Sequence, residues 1–136
     1  MPNPIALTKA FVQNSDAQIN MRIYSWATPA VPMLEADLTL IEFAAFNLPD
    51  ESEAYALEEL DIATVISDTL LGAGAEDAQR WSADSIGYNF SHSVPGAAFQ
   101  TPGKIQLEYR FTGTLGQVLG VVIRGLIVPS YMAIGD

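Results

Sequence analysis

Residues 104–128 read KIQLEYRFTGTLGQVLGVVIRGLIV, and the two halves of this stretch have different textures. In the first half Ile105, Leu107, Tyr109 and Phe111 alternate with Lys104, Gln106, Glu108 and Arg110. Successive side chains of a strand point to opposite faces, so this spacing predicts a strand with one buried and one wet face. In the second half, Val118 to Val128, both parities are apolar, which predicts a strand that is central or covered on both faces. The short Gly113–Gln117 segment joins them as a β-hairpin, with strands at 104–112 and 118–128.

The same reading extends outward. Pro95-Gly96 is a turn, and Ile86, Tyr88, Phe90, His92 and Val94 share a parity, giving a strand over 85–94. Ile19, Met21 and Ile23 alternate with Asn20, Arg22 and Tyr24, a strand closed by the loop at 27–33 with its Pro29 and Pro32. The run LIEFAAF predicts a strand over 37–46 with both faces packed. In 52–71, Ile62, Val65, Ile66 and Leu70 follow helical spacing, which predicts one short helix stopped by Gly72 and Gly74. GAGAED at 72–77 lacks the third glycine of a dinucleotide loop and carries two carboxylates where phosphate would sit, so it reads as a helix stop. Residues 1–12 form an extended arm or first strand, because Pro2 and Pro4 favour an extended chain. Residues 13–136 form a single β-rich domain. The expected fold is mainly β, an antiparallel β-sandwich or flattened barrel with one short helix.

Composition narrows the function classes. The 136 residues include no cysteine, which removes disulfides, thiol nucleophiles and thiolate metal sites. Charged residues make up 16% of the chain against ~25% in ordinary soluble domains, while hydrophobic residues reach 49%. A small domain so constituted has more apolar surface than one core readily hides, which points to permanent assembly. The net charge is −10, and twelve carboxylates but no Lys or Arg lie between Arg22 and Arg80. Such a surface repels phosphate, so neither nucleic acid nor an anionic membrane is an expected partner. The stretch 115–134 is interrupted by Gly116, Gly120, Arg124, Gly125 and Pro129 and reads as a strand rather than a membrane span. The N-terminus, MPNPIALTKAF, does not have the layout of a signal peptide.

The residues that usually carry chemistry are sparse. His92 is the single histidine; Ser91 and Ser93 point away from it on a strand, and no Gly-x-Ser-x-Gly elbow occurs. It reads as a strand-end histidine, hydrogen-bonded or half exposed, whose replacement leaves folding and function nearly intact. The acidic run ESEAYALEELD lacks the alternating Asp/Asn and glycine of a calcium loop. It reads as a solvated face or one that meets a basic partner. Arg124 inside an apolar strand predicts either a structural salt bridge or a side chain protruding at an oligomer interface. Trp26, Trp81, Tyr24 and Tyr88 complete the core, stack on sugars or anchor a protein contact. Asn89-Phe90-Ser91 reads as an incidental glycosylation sequon. No catalytic, cofactor-binding or metal-ligating residue is assigned.

Two segments together resemble a known group. INMRIYSWATPAVPMLEADLTLIEF at 19–43 and KIQLEYRFTGTLGQVLGVVIRG at 104–125 are similar to a strand, loop and acidic-aromatic segment followed by a late "FTFTG…GxxVxG" hairpin. That order is found in small virion proteins of tailed bacteriophages. The match lies at Phe111-Thr112-Gly113 and at Val118 to Gly125, and the chain departs from the pattern with an acidic insert over 47–77. The resemblance implies a virion structural protein assembled in the host cytoplasm: a capsid decoration (cement) protein bridging capsid subunits, or a tail component. It implies capsid or tail subunits, and further copies of the chain, as partners, and it carries over no catalytic residue. A tail-fibre or carbohydrate-binding module and a small enzyme are the alternatives. The candidate interface residues are Pro4, Ile5, Leu7, Phe11, Trp26, Trp81 and Arg124, and deleting the 1–12 arm is expected to weaken attachment while leaving the domain folded.

Overall fold

The hairpin forms as its alternation predicts. In the computed structural model, which describes residues 8–72 and 86–130, strand β7 (Gly103–Gly113) pairs antiparallel with β8 (Val118–Val128). Register sets Leu107 against Ile123, Tyr109 against Val121 and Phe111 against Leu119. Gly113 N–H donates to the Gln117 carbonyl at 2.8 Å, and Gly116 takes φ +82°, a left-handed conformation that suits glycine. On the other side of β7 lies β3 (Leu38–Asn47), and beyond it the edge strand β4 (Ser52–Leu60), both antiparallel. The fifth strand, β1 (Thr8–Val12), pairs parallel with β8 and gives the order β1-β8-β7-β3-β4.

A second sheet of three strands covers one face of the first. It is ordered β2 (Ala17–Met21), β6 (Tyr88–Val94), β5 (Ile66–Leu71), all antiparallel. The two inner faces meet over an aromatic core in which Phe43, Phe90, Phe99, Phe111 and Tyr109 are almost wholly buried. Phe90 stands edge-on to Tyr109 and Phe111, with centroids 5.1 and 5.3 Å apart, a geometry favoured by the ring quadrupoles. The mainly β, sandwich-like fold with one short helix is therefore present, with the parallel β1–β8 pair as its departure from a purely antiparallel plan.

Several expectations change in detail. The helix is one turn, α1 (Ile62–Val65), between β4 and β5; it is not stopped by Gly72, which follows β5. Residue 74 lies outside the described residues. Pairing to β3 makes 52–60 a strand, with Ala54 and Tyr55 packed against the core, Leu60 buried and Glu53, Glu58 and Glu59 exposed at the sheet's edge, while the helically spaced Ile66 and Leu70 fall in β5, which pairs with β6. Ile86 is exposed and precedes β6 rather than sharing its buried face. Strand β8 is central in its hydrogen bonding but is not covered on both faces. Of the two readings of the N-terminal segment, arm or first strand, the described residues 8–12 take the second. Phe11 is buried and stacks on Phe99 with centroids 4.5 Å apart, so removing 1–12 would open the core.

Candidate functional site

The polar group with the most chemical potential sits between the sheets. His92 on β6 is 8% exposed, and its Nδ1 lies 2.8 Å from the Tyr109 hydroxyl on β7, so the two share a hydrogen across the core. The imidazole stands edge-on to Phe43 at 5.0 Å. Burial pushes the His92 pKa down, opposed in part by the Glu58 carboxylate, and burial pushes the Tyr109 phenol well above its usual range. Both groups are thus held neutral. Tyr55 beside Glu58 is also raised, first by burial and then by that carboxylate. Ser91 does turn away: its hydroxyl donates to Asn20 Oδ1 at 2.7 Å. What sequence reasoning missed is the burial. His92 is a packed, bonded core residue, so its replacement should disturb folding, contrary to the expectation above.

Asn89 was also missed. Its Nδ2 donates to the carbonyls of Ile23 and Met33 at 2.9 and 3.0 Å, and its Oδ1 accepts from Ile23 N–H at 2.8 Å. This buried amide ties β6 to both ends of the proline-marked loop. An amide so committed is closed to a glycan, which agrees with reading the sequon as incidental.

The remaining candidate residues do not converge. Trp26 is half-buried over Gly113, where an added Cβ would come within 2.7 Å of the indole. Tyr24 is exposed and accepts from Arg22 Nε at 2.7 Å, with the guanidinium 5.8 Å from its ring centroid. Pro4, Ile5, Leu7 and Trp81 lie outside the described residues. Among the described residues Arg124 forms no salt bridge; it is exposed on β8 and its Nε donates to Gln106 Oε1 at 2.9 Å. Among the described residues, no three His, Asp or Glu side chains are grouped closely enough to hold a metal ion.

The most extensive candidate surface is the outer face of the five-stranded sheet, the one turned away from β2-β6-β5. Here the alternate residues of β7 and β8 emerge. Leu57, Val118 and Leu126 are exposed, and the half-buried Phe46 and Val122 add further apolar surface. An open groove of about 270 Å³ runs between Ala44, Phe46, Leu57, Val118 and Val122, and a second of about 300 Å³ lies by Leu48, Lys104, Arg124 and Leu126. Four of the charges on this face are tied to neighbours. Arg110 bridges Glu42 at 2.7 Å, and Gln106 links Arg124 to Glu108, to which it donates at 2.6 Å. Three of the chain's six cations, Lys104, Arg110 and Arg124, stand here, beside the carboxylates of Glu42, Glu53, Glu59 and Glu108. Comparison with protein-family models, with characterised proteins and with solved structures returns no match.

Proposed function

We propose that the chain is a structural protein that works by binding other protein, a virion component of the capsid decoration (cement) type. The observation that carries this reading is the outer face of the five-stranded sheet, where exposed Leu57, Val118 and Leu126 flank apolar grooves beside internally paired charges. Side chains of this kind gain about 1.5–3 kcal/mol each when taken from water into a contact. Pairing the flanking charges within the face lowers the cost of desolvating them there. The low charge content and the late hairpin's resemblance to small tailed-phage virion proteins support the same reading.

A cement protein stabilises a shell by holding neighbouring subunits together, so that separating them also requires breaking its own contacts. The purified chain should co-sediment in a saturable, fixed ratio with shells assembled from the capsid protein encoded near it, and should raise the temperature at which they dissociate. Association with isolated tails in place of shells would assign it to the tail. Binding to neither would refute the structural reading.

A further inference from the structure

The outer face carries a pattern that suits a particular occupant, a second copy of the same chain. Strand register arranges it in rows. One row runs Arg124 (β8), Gln106 (β7), Phe46 (β3), Glu53 (β4), and another runs Gly120, Arg110, Glu42, Glu59. Between them lie Val122, Glu108 and Ala44, with Leu57 on the same groove. The face is therefore polarised across its strands, with cations on the β8–β7 side and carboxylates toward β4.

We propose that two chains pack back to back through this face, about a twofold axis lying in the interface and parallel to the strands. Such an axis keeps each row opposite itself and exchanges β8 with β4 and β7 with β3. Arg124 then meets Glu53 of the partner subunit, Val122 meets the partner's Leu57, and Arg110 meets the partner's Glu42. Gly120, where nothing lies within 4 Å of a Cβ position, faces the partner's Glu59 and leaves it room to reach Arg110. Each contact occurs twice, as an isologous interface requires. Among the described residues Arg124 has its Nη donors available, because its bond to Gln106 uses Nε.

Area and net charge favour the same geometry. Strands about 4.8 Å apart and about 30 Å long give the four strands that overlap about this axis a face of roughly 580 Å², near the lower end, about 600 Å² per partner, of standard specific interfaces. Aligned sheet-on-sheet packing at about 10 Å is an established mode for such faces. A chain of net charge −10 repels its own copies, and on this face Lys104, Arg110 and Arg124 offset most of the charge of Glu42, Glu53, Glu59 and Glu108. The dimer deepens the assembly reading and rests on it for its role: the outer face is then taken by the second copy, and shell contacts made by the other surfaces of each chain would let one rigid unit span two subunits.

The test is a charge exchange between full-length chains, read by sedimentation velocity. Arg124→Glu and Glu53→Arg each place like charges at both symmetry-related contacts, so each variant alone should dimerise at least about tenfold more weakly than wild type. Mixed together they form a heterodimer in which both contacts are attractive, and dimerisation should return to near the wild-type level. Both positions are exposed, and an unchanged melting temperature at low concentration would show that the fold is intact. A monomeric wild-type chain, single variants that dimerise normally, or a mixture that stays monomeric would each overturn the inference. A monomer that still binds shells would overturn the dimer and leave the cement reading standing. The exchange pattern in a dimer that binds no shell would support the dimer and remove that reading.

Discussion

The two faces of the five-stranded sheet are built from the same strands and behave as different materials. On β7, Ile105, Leu107, Tyr109 and Phe111 are buried in a dry aromatic core, while Lys104, Gln106, Glu108 and Arg110 stand outside. On β8 the inner residues Val121, Ile123 and Ile127 are buried as deeply, but the outer ones, Val118, Val122 and Leu126, are also apolar and remain open. The inner face therefore accounts for the domain's own stability. The outer face carries apolar surface that the domain's own folding does not cover. In such a molecule a substitution should act either on stability or on association, according to its parity along the strand.

Removing residues 1–12 should break the inner face most severely. It takes away β1 and Phe11, which stacks on Phe99. Loss of a cooperative thermal transition by circular dichroism is expected, whereas a normal melt would mean that β1 is dispensable. Phe111→Ala or Tyr109→Ala should cost about 3–5 kcal/mol in denaturant unfolding, as for other large buried aromatics; a loss below about 1 kcal/mol would assign the wrong face to the core.

The His92–Tyr109 bond sharpens the contrast through pH. Folding holds the imidazole neutral, while the unfolded chain takes up a proton near the ordinary value of 6.5. The unfolded state thus binds more protons between the lowered folded pKa and 6.5, so stability is whole above that window and declines as pH falls through it. His92→Gln should be less stable at neutral pH and should lack this part of the decline. An identical pH profile in the two proteins would show that His92 titrates normally. The smallest effect on folding belongs to the outer face: Val122→Thr should change monomer stability by less than about 0.5 kcal/mol, measured at low concentration, while weakening association.

The fold was legible where one face of a strand is wet and the other dry. The alternation at 104–112 placed that strand and its buried side correctly, and the alternation at 19–23 gave the right buried residues although β2 ends at Met21. It was illegible over 52–60, because SEAYALEEL consists largely of good helix formers and its strand state comes from pairing with β3. A carboxylate-lined edge strand has few apolar residues to mark its period. The partner of His92 was hidden for a related reason: Tyr109 lies on another sheet, and neither residue's neighbours in sequence mark the contact. The apolar outer parity of β8 was visible in the sequence, but whether the domain or another chain covers it depends on where the second sheet packs.

That distinction makes the mass of the unmodified chain in solution the most direct test of the account. Sedimentation equilibrium over a rising concentration series should shift from the 14.7 kDa chain toward twice that mass, with Arg124→Glu and Glu53→Arg each holding the monomer and their mixture restoring the dimer. A mass that stays at 14.7 kDa at every concentration, with an outer face equally accessible to labelling throughout, would contradict it.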